Sequence, residues 1–145
     1  MSHAEVHQFF ETYRDHFNRL DADAVADTWH AQSGVAHPAR EGEGDCAAYT
    51  MWPTDEPMRA NTHALCDVYR GNDYSHAEFA LEHCKSMSAN HAFAVVHWML
   101  YRHDGSLLQS FSTGYNLMRT EHGPRVILAT QFEEDIQKMM RDAAH

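Results

Sequence analysis

Basic residues are scarce in this 145-residue chain, where 11 Lys and Arg stand against 21 Asp and Glu for a formal net charge of −10. A surface that acidic repels phosphate backbones and anionic bilayers, so neither nucleic acid nor a membrane surface is expected as a partner. Cysteines are few and odd in number: Cys46, Cys66 and Cys84 are well separated and form no CxxC pair. They read as free thiols in a reducing compartment, which makes a cytoplasmic location the expectation. Apolar runs such as Ala92 to Val96 are far too short to cross a bilayer. The opening Met1-Ser2-His3-Ala4-Glu5 has no basic stretch followed by an apolar one, so no secretory signal is visible. Also missing are a Gly-rich phosphate loop, a nucleophile elbow, an HExxH motif and any Cys/His cluster with zinc spacing. Histidines number 13, yet His91 and His97 would lie about 20 Å apart along a strand and cannot share an ion. No metal and no cofactor is expected.

What is present suffices for a core. Hydrophobic residues make up 43% and charged residues 22%, in a length that suits one domain over residues 1–145, without repeats or linkers. Val6, Phe9, Phe10, Tyr13, Phe17 and Leu20 recur at three- and four-residue steps, predicting an amphipathic helix over about residues 3 to 19. Asp21 is placed to cap a shorter helix with Val25 and Trp29 on its buried edge. A short strand is expected over Ser33 to His37, halted by Pro38. Asp45 could cap a brief helix ending before Pro53, with Trp52 on a loop. The Asp55-Glu56-Pro57 stretch starts a further helix carrying Met58, Leu65, Val68 and Tyr69, and Gly71-Asn72 ends it.

From Tyr74 the period changes to two. Strands are predicted from Tyr74, over Phe93 to Arg102, over Leu107 to Arg119 and over Val126 to Phe132. A helical tail from Glu133 carries Ile136, Met139 and Met140. The layout is α+β, a curved and largely antiparallel sheet that needs helices on one face. Two-residue turns at Ala89-Asn90 and Asp104-Gly105 set Leu81 opposite Trp98, Phe79 opposite Leu100, Trp98 opposite Phe111, Val96 opposite Thr113 and Ala94 opposite Tyr115. One face then holds Phe79, Leu81, Val96, Trp98, Leu100, Phe111, Thr113 and Tyr115. The other holds Glu78, Glu82, Cys84, His97, Tyr101, Ser110 and Ser112. The cost of burying isolated charge selects the first as the concave, core-facing side. A slip of one residue at either turn inverts part of that assignment.

These segments resemble the nuclear transport factor 2-like superfamily, the cone-shaped fold shared by SnoaL-like proteins, ketosteroid isomerase and scytalone dehydratase. The resemblance rests on "FFETYRDHFNRLDADAVADTW" with its Asn-x-x-Asp junction, on "SGVAHP", and on the hairpin "ANHAFAVVHWMLYRHDG" with the strands after it. It implies a curved sheet forming a cone around N-terminal helices, an apolar pocket inside, and a homodimer joined through the outer sheet face. Tyr13, five residues before Asn18, falls where ketosteroid isomerase keeps its oxyanion-hole tyrosine. His37, before Pro38, falls where that enzyme has an aspartate base. Tyr115 lies near its second oxyanion donor, a protonated aspartate. This chain therefore differs at both acidic positions.

A histidine base facing two phenols suits proton abstraction beside a carbonyl, with the phenols stabilising the enolate as charge develops. The plainer alternative makes Tyr13 and Tyr115 core residues and His37 a solvated strand end. Phe10, Phe17, Trp29, Val96, Trp98, Phe111 and Thr113 would line a pocket for a small hydrophobic organic ligand, or simply pack as core. His97 and Glu82 pair across strands on the outer face. Two functions follow as expectations. One is cofactor-independent isomerisation, cyclisation or dehydration of a cyclic or polyketide-like compound; the other is a non-catalytic ligand-binding or dimerisation module.

Overall fold

The computed structural model describes residues 1–37, 48–131 and Met139. The first helix, α1 (His3–Asn18), begins where Ser2 Oγ accepts the Glu5 backbone N–H at 3.1 Å and the Glu5 carboxylate accepts the Ser2 N–H at 3.4 Å. This reciprocal cap satisfies two otherwise orphaned donors. Val6, Phe10, Tyr13 and Phe17 form its buried stripe, as their spacing requires. Asp21 Oδ1 accepts from Ala24 N at 3.1 Å and so starts α2 (Ala22–Ala26). That helix stops before Trp29, which instead opens strand β1 (Trp29–His37), a longer element than the Ser33 start anticipated.

Residues 48–52 form a strand, β2 (Ala48–Trp52), where the sequence had suggested the end of a helix. Its pattern explains the difference: Tyr49 and Met51 are exposed while Trp52 is buried, a period of two. Asp45, the proposed cap, lies outside the described residues. Helix α3 (Asp55–Gly71) follows and buries Met58, Thr62, Cys66 and Tyr69, ending at Asn72. Leu65 and Val68 are half-buried beside that stripe. Arg59 clasps α3 to α2 through the carboxylates of Asp23 and Asp27, and pairs with Asp55 one turn earlier in its own helix.

Strands β3 (Tyr74–Ser88), β4 (His91–Arg102), β5 (Leu107–Thr120) and β6 (Gly123–Gln131) complete one sheet in the order β2-β1-β6-β5-β4-β3. β1 and β6 are parallel and every other pairing is antiparallel, so the sheet is mixed. It curves around the helices, the α+β layout anticipated from the sequence. Among the described residues no helix is long and apolar enough to cross a membrane. Of the expected C-terminal helix, Met139 is helical and buried, and its carbonyl accepts from Asn72 Nδ2 at 2.9 Å. Phe132, Ile136 and Met140 lie outside the described residues.

Register decides which side chains face inward. Trp98 pairs with Phe111, Val96 with Thr113 and Ala94 with Tyr115, the partners anticipated from the sequence. The β4–β5 loop is wider than two residues, spanning 103–106, and a bulge beside Tyr101 restores the register. Between β3 and β4 the pairing differs: Phe79 lies opposite Trp98 and Leu81 opposite Val96, each two residues from the expected partner. Two bulges on β3, at Ser86/Ser88 and at Leu81/His83, cause the shift. Each inserted residue flips the face. The two flips cancel, leaving Phe79 and Leu81 on the concave side. Between the bulges the face is inverted, so Cys84 sits opposite buried Ala94 and packs against the core rather than on the outer face.

Candidate functional site

A cavity of about 70 Å³ lies between α1, α3 and the concave sheet. Tyr13 and Phe17 come from the buried stripe of α1; Met58, Asn61, Thr62, Leu65 and Tyr69 come from successive turns of α3. Inward alternation on β4 and β5 supplies Trp98, Leu100, Phe111, Thr113 and Tyr115, and Gln131 comes from the end of β6. Trp29 and Trp52 close one side edge-to-face, their rings 6.2 Å apart at 75°. Such edge-on aromatic contacts are favourable beyond their buried area.

Hydrogen bonds fix the polar groups of this wall. Trp98 Nε1 donates to the Tyr115 hydroxyl at 2.9 Å in a buried setting. The Tyr13 ring lies 5.7 Å from the Trp98 ring and 6.0 Å from that of Tyr115. Tyr74, also a lining residue, donates its hydroxyl to Asn18 Oδ1 at 3.3 Å, and the Ala77 backbone N–H donates to the same oxygen at 2.8 Å. Burial pushes the Tyr74 hydroxyl well above the ordinary phenol range, so it stays a neutral donor. Thr62 Oγ1 donates to the Met58 carbonyl at 3.3 Å. Among the described residues that line the cavity there is no Asp, Glu, Lys, Arg or His.

The structure gathers Tyr13, Tyr115, Phe17, Trp29, Trp98, Phe111 and Thr113 around one space. Phe10 and Val96 are fully buried behind the wall. Phe10 supports it from there, its ring 4.9 Å from Tyr115 and 6.0 Å from Tyr13. His37 is half-buried at the end of β1, opposite Ala48, and is not among the lining residues. Its strand neighbour two positions earlier, Val35, does line the cavity. Trp52 is part of the wall, on a strand rather than a loop. Asn61 and Gln131 escaped the sequence reading, and Tyr69, Tyr74 and Asn18 were placed on their elements without being read as part of the site. A polar Thr62 within the apolar stripe of α3 was the available signal.

On the outer face Ser112 Oγ donates to Glu82 Oε1 at 2.5 Å and lies 3.0 Å from His97 Nδ1, while His97 and Glu82 themselves are 3.7 Å apart. Serine thus bridges the pair foreseen from the sequence. Glu82 is the residue displaced by the bulge between Leu81 and His83.

Among proteins of curated function none matches the sequence. A crystal structure of an NTF2-like protein of unknown function from Shewanella oneidensis MR-1 is similar at TM-score 0.70 and 13% identity, covering 92% of this chain and 100% of that one. A ketosteroid isomerase-like protein from Erwinia carotovora atroseptica is similar at TM-score 0.63 and 14% identity, covering 91% and 95%. The beta subunit of benzoate 1,2-dioxygenase from Burkholderia mallei is similar at TM-score 0.64 and 12% identity, covering 92% and 91%. At such identities the likeness establishes the fold alone. The model of one sequence family, described as NTF2-like protein (DUF6841), matches residues 4–134. The cone-shaped sheet, the helices it encloses and this match agree: the chain belongs to the NTF2-like family DUF6841.

Proposed function

We propose that the protein binds a small, uncharged, cyclic organic molecule in this cavity. The observation that carries the reading is the chemistry of the wall: aromatic rings with phenol, hydroxyl and amide groups, and no ionisable carboxylate or cation among the described lining residues. A charged ligand would lose its hydration without gaining a counter-charge, at a cost of several kcal/mol. A neutral carbonyl or hydroxyl compound loses far less and finds hydroxyl donors. Size narrows the class further. An apolar cavity of about 150 Å³ admits benzene, so a space of about 70 Å³ takes at most part of a ring unless its walls move apart.

The reading is tested with a panel of neutral cyclic ketones, phenols and their carboxylated analogues, followed by ligand-observed NMR. Binding of the neutral members, weakened by Tyr115→Phe or Tyr13→Phe, supports it. Preference for the carboxylates overturns it.

A second reading is general acid–base catalysis with His37 as base and Tyr13 and Tyr115 as donors, in the manner of an isomerase, cyclase or dehydratase. Its support is strand alternation, which sets His37 on the same side of β1 as the lining residue Val35. The name of the ketosteroid isomerase-like neighbour points the same way. Exchange of protons beside the carbonyl of a bound ketone in D₂O separates the readings. Exchange lost in His37→Ala with binding retained supports catalysis, and exchange unchanged in that variant removes His37 from the mechanism. Exposed Tyr49 and Met51 on the outer face of β2 support the homodimer through that face, which light scattering of the purified protein tests.

A further inference from the structure

The helix that carries Tyr13 into the cavity wall presents a different set of groups at its start. His3, His7 and Glu11 stand four residues apart on consecutive turns of α1, the spacing that places side chains on one helical face. The rings of His3 and His7 are 6.4 Å apart with their planes within 15° of parallel. His7 Nδ1 lies 2.7 Å from Glu11 Oε1. Beside an ionised carboxylate, that nitrogen carries the ring proton, which leaves the lone pair on Nε2. A carboxylate behind an imidazole is the arrangement that orients a metal-binding histidine and makes it a better donor. One side of the His7 ring rests against Phe79, 5.4 Å between centroids, which restricts its rotation. The reciprocal cap at Ser2 and Glu5 holds the turn that bears His3.

We propose that His3 and His7 bind a divalent transition-metal ion through their Nε2 atoms, with Glu11 fixing the tautomer and direction of His7. Paired imidazoles select zinc, copper or nickel over magnesium and calcium, which prefer oxygen. A zinc ion about 2.0–2.1 Å from each nitrogen bridges adjacent turns once the exposed His3 ring swings toward His7. Among the described residues no group of three or more His, Cys, Asp or Glu gathers, so water completes the coordination. The net charge of −10 raises the local cation concentration. An ion held across these turns braces the helix segment containing Val6 and Phe10, and through it the cavity wall.

Zinc chloride titrated calorimetrically into the full chain at neutral pH is the test. One equivalent is expected, lost in the His3→Ala/His7→Ala double variant and bound about tenfold more weakly, or worse, by Glu11→Gln. Zinc should raise the Tm of the natural chain and leave that of the double variant unmoved. In the natural chain, zinc should shift the ring resonances of His3 and His7 before those of any other histidine, a result that needs no variant to fold. Unchanged stoichiometry and affinity in the double variant, wild-type affinity in Glu11→Gln, or first shifts at other histidines would each overturn the assignment.

Discussion

Asn18→Ala tests whether the end of α1 holds the first strand of the β3–β4 hairpin in place. Asn18 Oδ1 is a shared acceptor, taking the backbone N–H of Ala77 at 2.8 Å and the hydroxyl of Tyr74 at 3.3 Å. Both donors belong to residues that are almost wholly buried. β3 lies at the edge of the sheet, so on that side no neighbouring strand can take over the Ala77 N–H. Each buried donor left unsatisfied costs about 1–3 kcal/mol, and partial access of water to the vacated site brings the expected sum to about 2–4 kcal/mol. For a domain of this length that is a fall in Tm of roughly 5–15 °C. Two companions sharpen the result. Tyr74→Phe removes one donor and keeps the Ala77 bond, so it should cost only about 1 kcal/mol. Asn18→Asp keeps an acceptor oxygen for both donors and should lie between wild type and Asn18→Ala. Equilibrium urea unfolding gives the values, provided the m-value is unchanged. A loss under about 1 kcal/mol for Asn18→Ala, or one no larger than that of Tyr74→Phe, refutes the shared-acceptor argument.

Phe10 is fully buried and touches the rings of Tyr13, Trp98 and Tyr115, so Phe10→Ala should destabilise the fold by about 3–5 kcal/mol in the same urea assay. A much smaller loss would show that the wall collapses to fill the space. The carboxyl of Asp23 is held below the ordinary carboxylate range, first by its hydrogen bond from His63 and then by that from Arg59. A depressed pKa in the folded state contributes stability that is present above the unfolded pKa and fades as pH falls through the folded one. Arg59→Ala should therefore shrink the drop in Tm between neutral and acid solution, and an unaltered drop would count against the clasp. Burial pushes the Cys66 thiol up to about 11 and leaves it 1% exposed. Ellman's reagent should consequently modify Cys66 only on unfolding, as read by peptide mass spectrometry, and rapid native labelling there would contradict the packing.

Much of this fold was legible because its signals are local. The α1 stripe follows from spacing, whereas the Trp98–Phe111 register came out as a two-residue turn at Asp104-Gly105 would set it only because a bulge beside Tyr101 compensates for a loop spanning 103–106. β2 was not legible, because five residues carry too little periodicity to separate a strand from a helix turn. Nor were the bulges in β3. An inserted residue leaves no compositional mark, and its effect on Cys84 appears only when the partner strand is present. The candidate site divides in the same way. Tyr13, Trp98 and Tyr115 come from elements whose faces are set by periodicity, so they converge as anticipated. Tyr69, Asn61 and Thr62 depend on how α3 docks across the sheet, which no single helix encodes. His37 is paired with Ala48 at the end of β1; alternation sets its side of the strand, but not how far along the strand the cavity reaches.

Parity links the two faces of the sheet. Without one of the bulges at Ser86/Ser88 and Leu81/His83, Phe79 and Leu81 would turn outward, and Ala80, Glu82 and Glu78 would face Trp98, Val96 and Leu100 on the concave side. Carboxylates would then lie on the buried side of the hairpin, beside Val96 and Leu100, at the cost of burying unpaired charge. The second bulge prevents this. It returns the apolar side chains to the interior and leaves Glu82 as the displaced residue, free to accept from Ser112 on the opposite face. The apolar inner face of this hairpin and the acidic bridge outside it therefore have one cause, a single extra residue in a sheet whose side chains alternate.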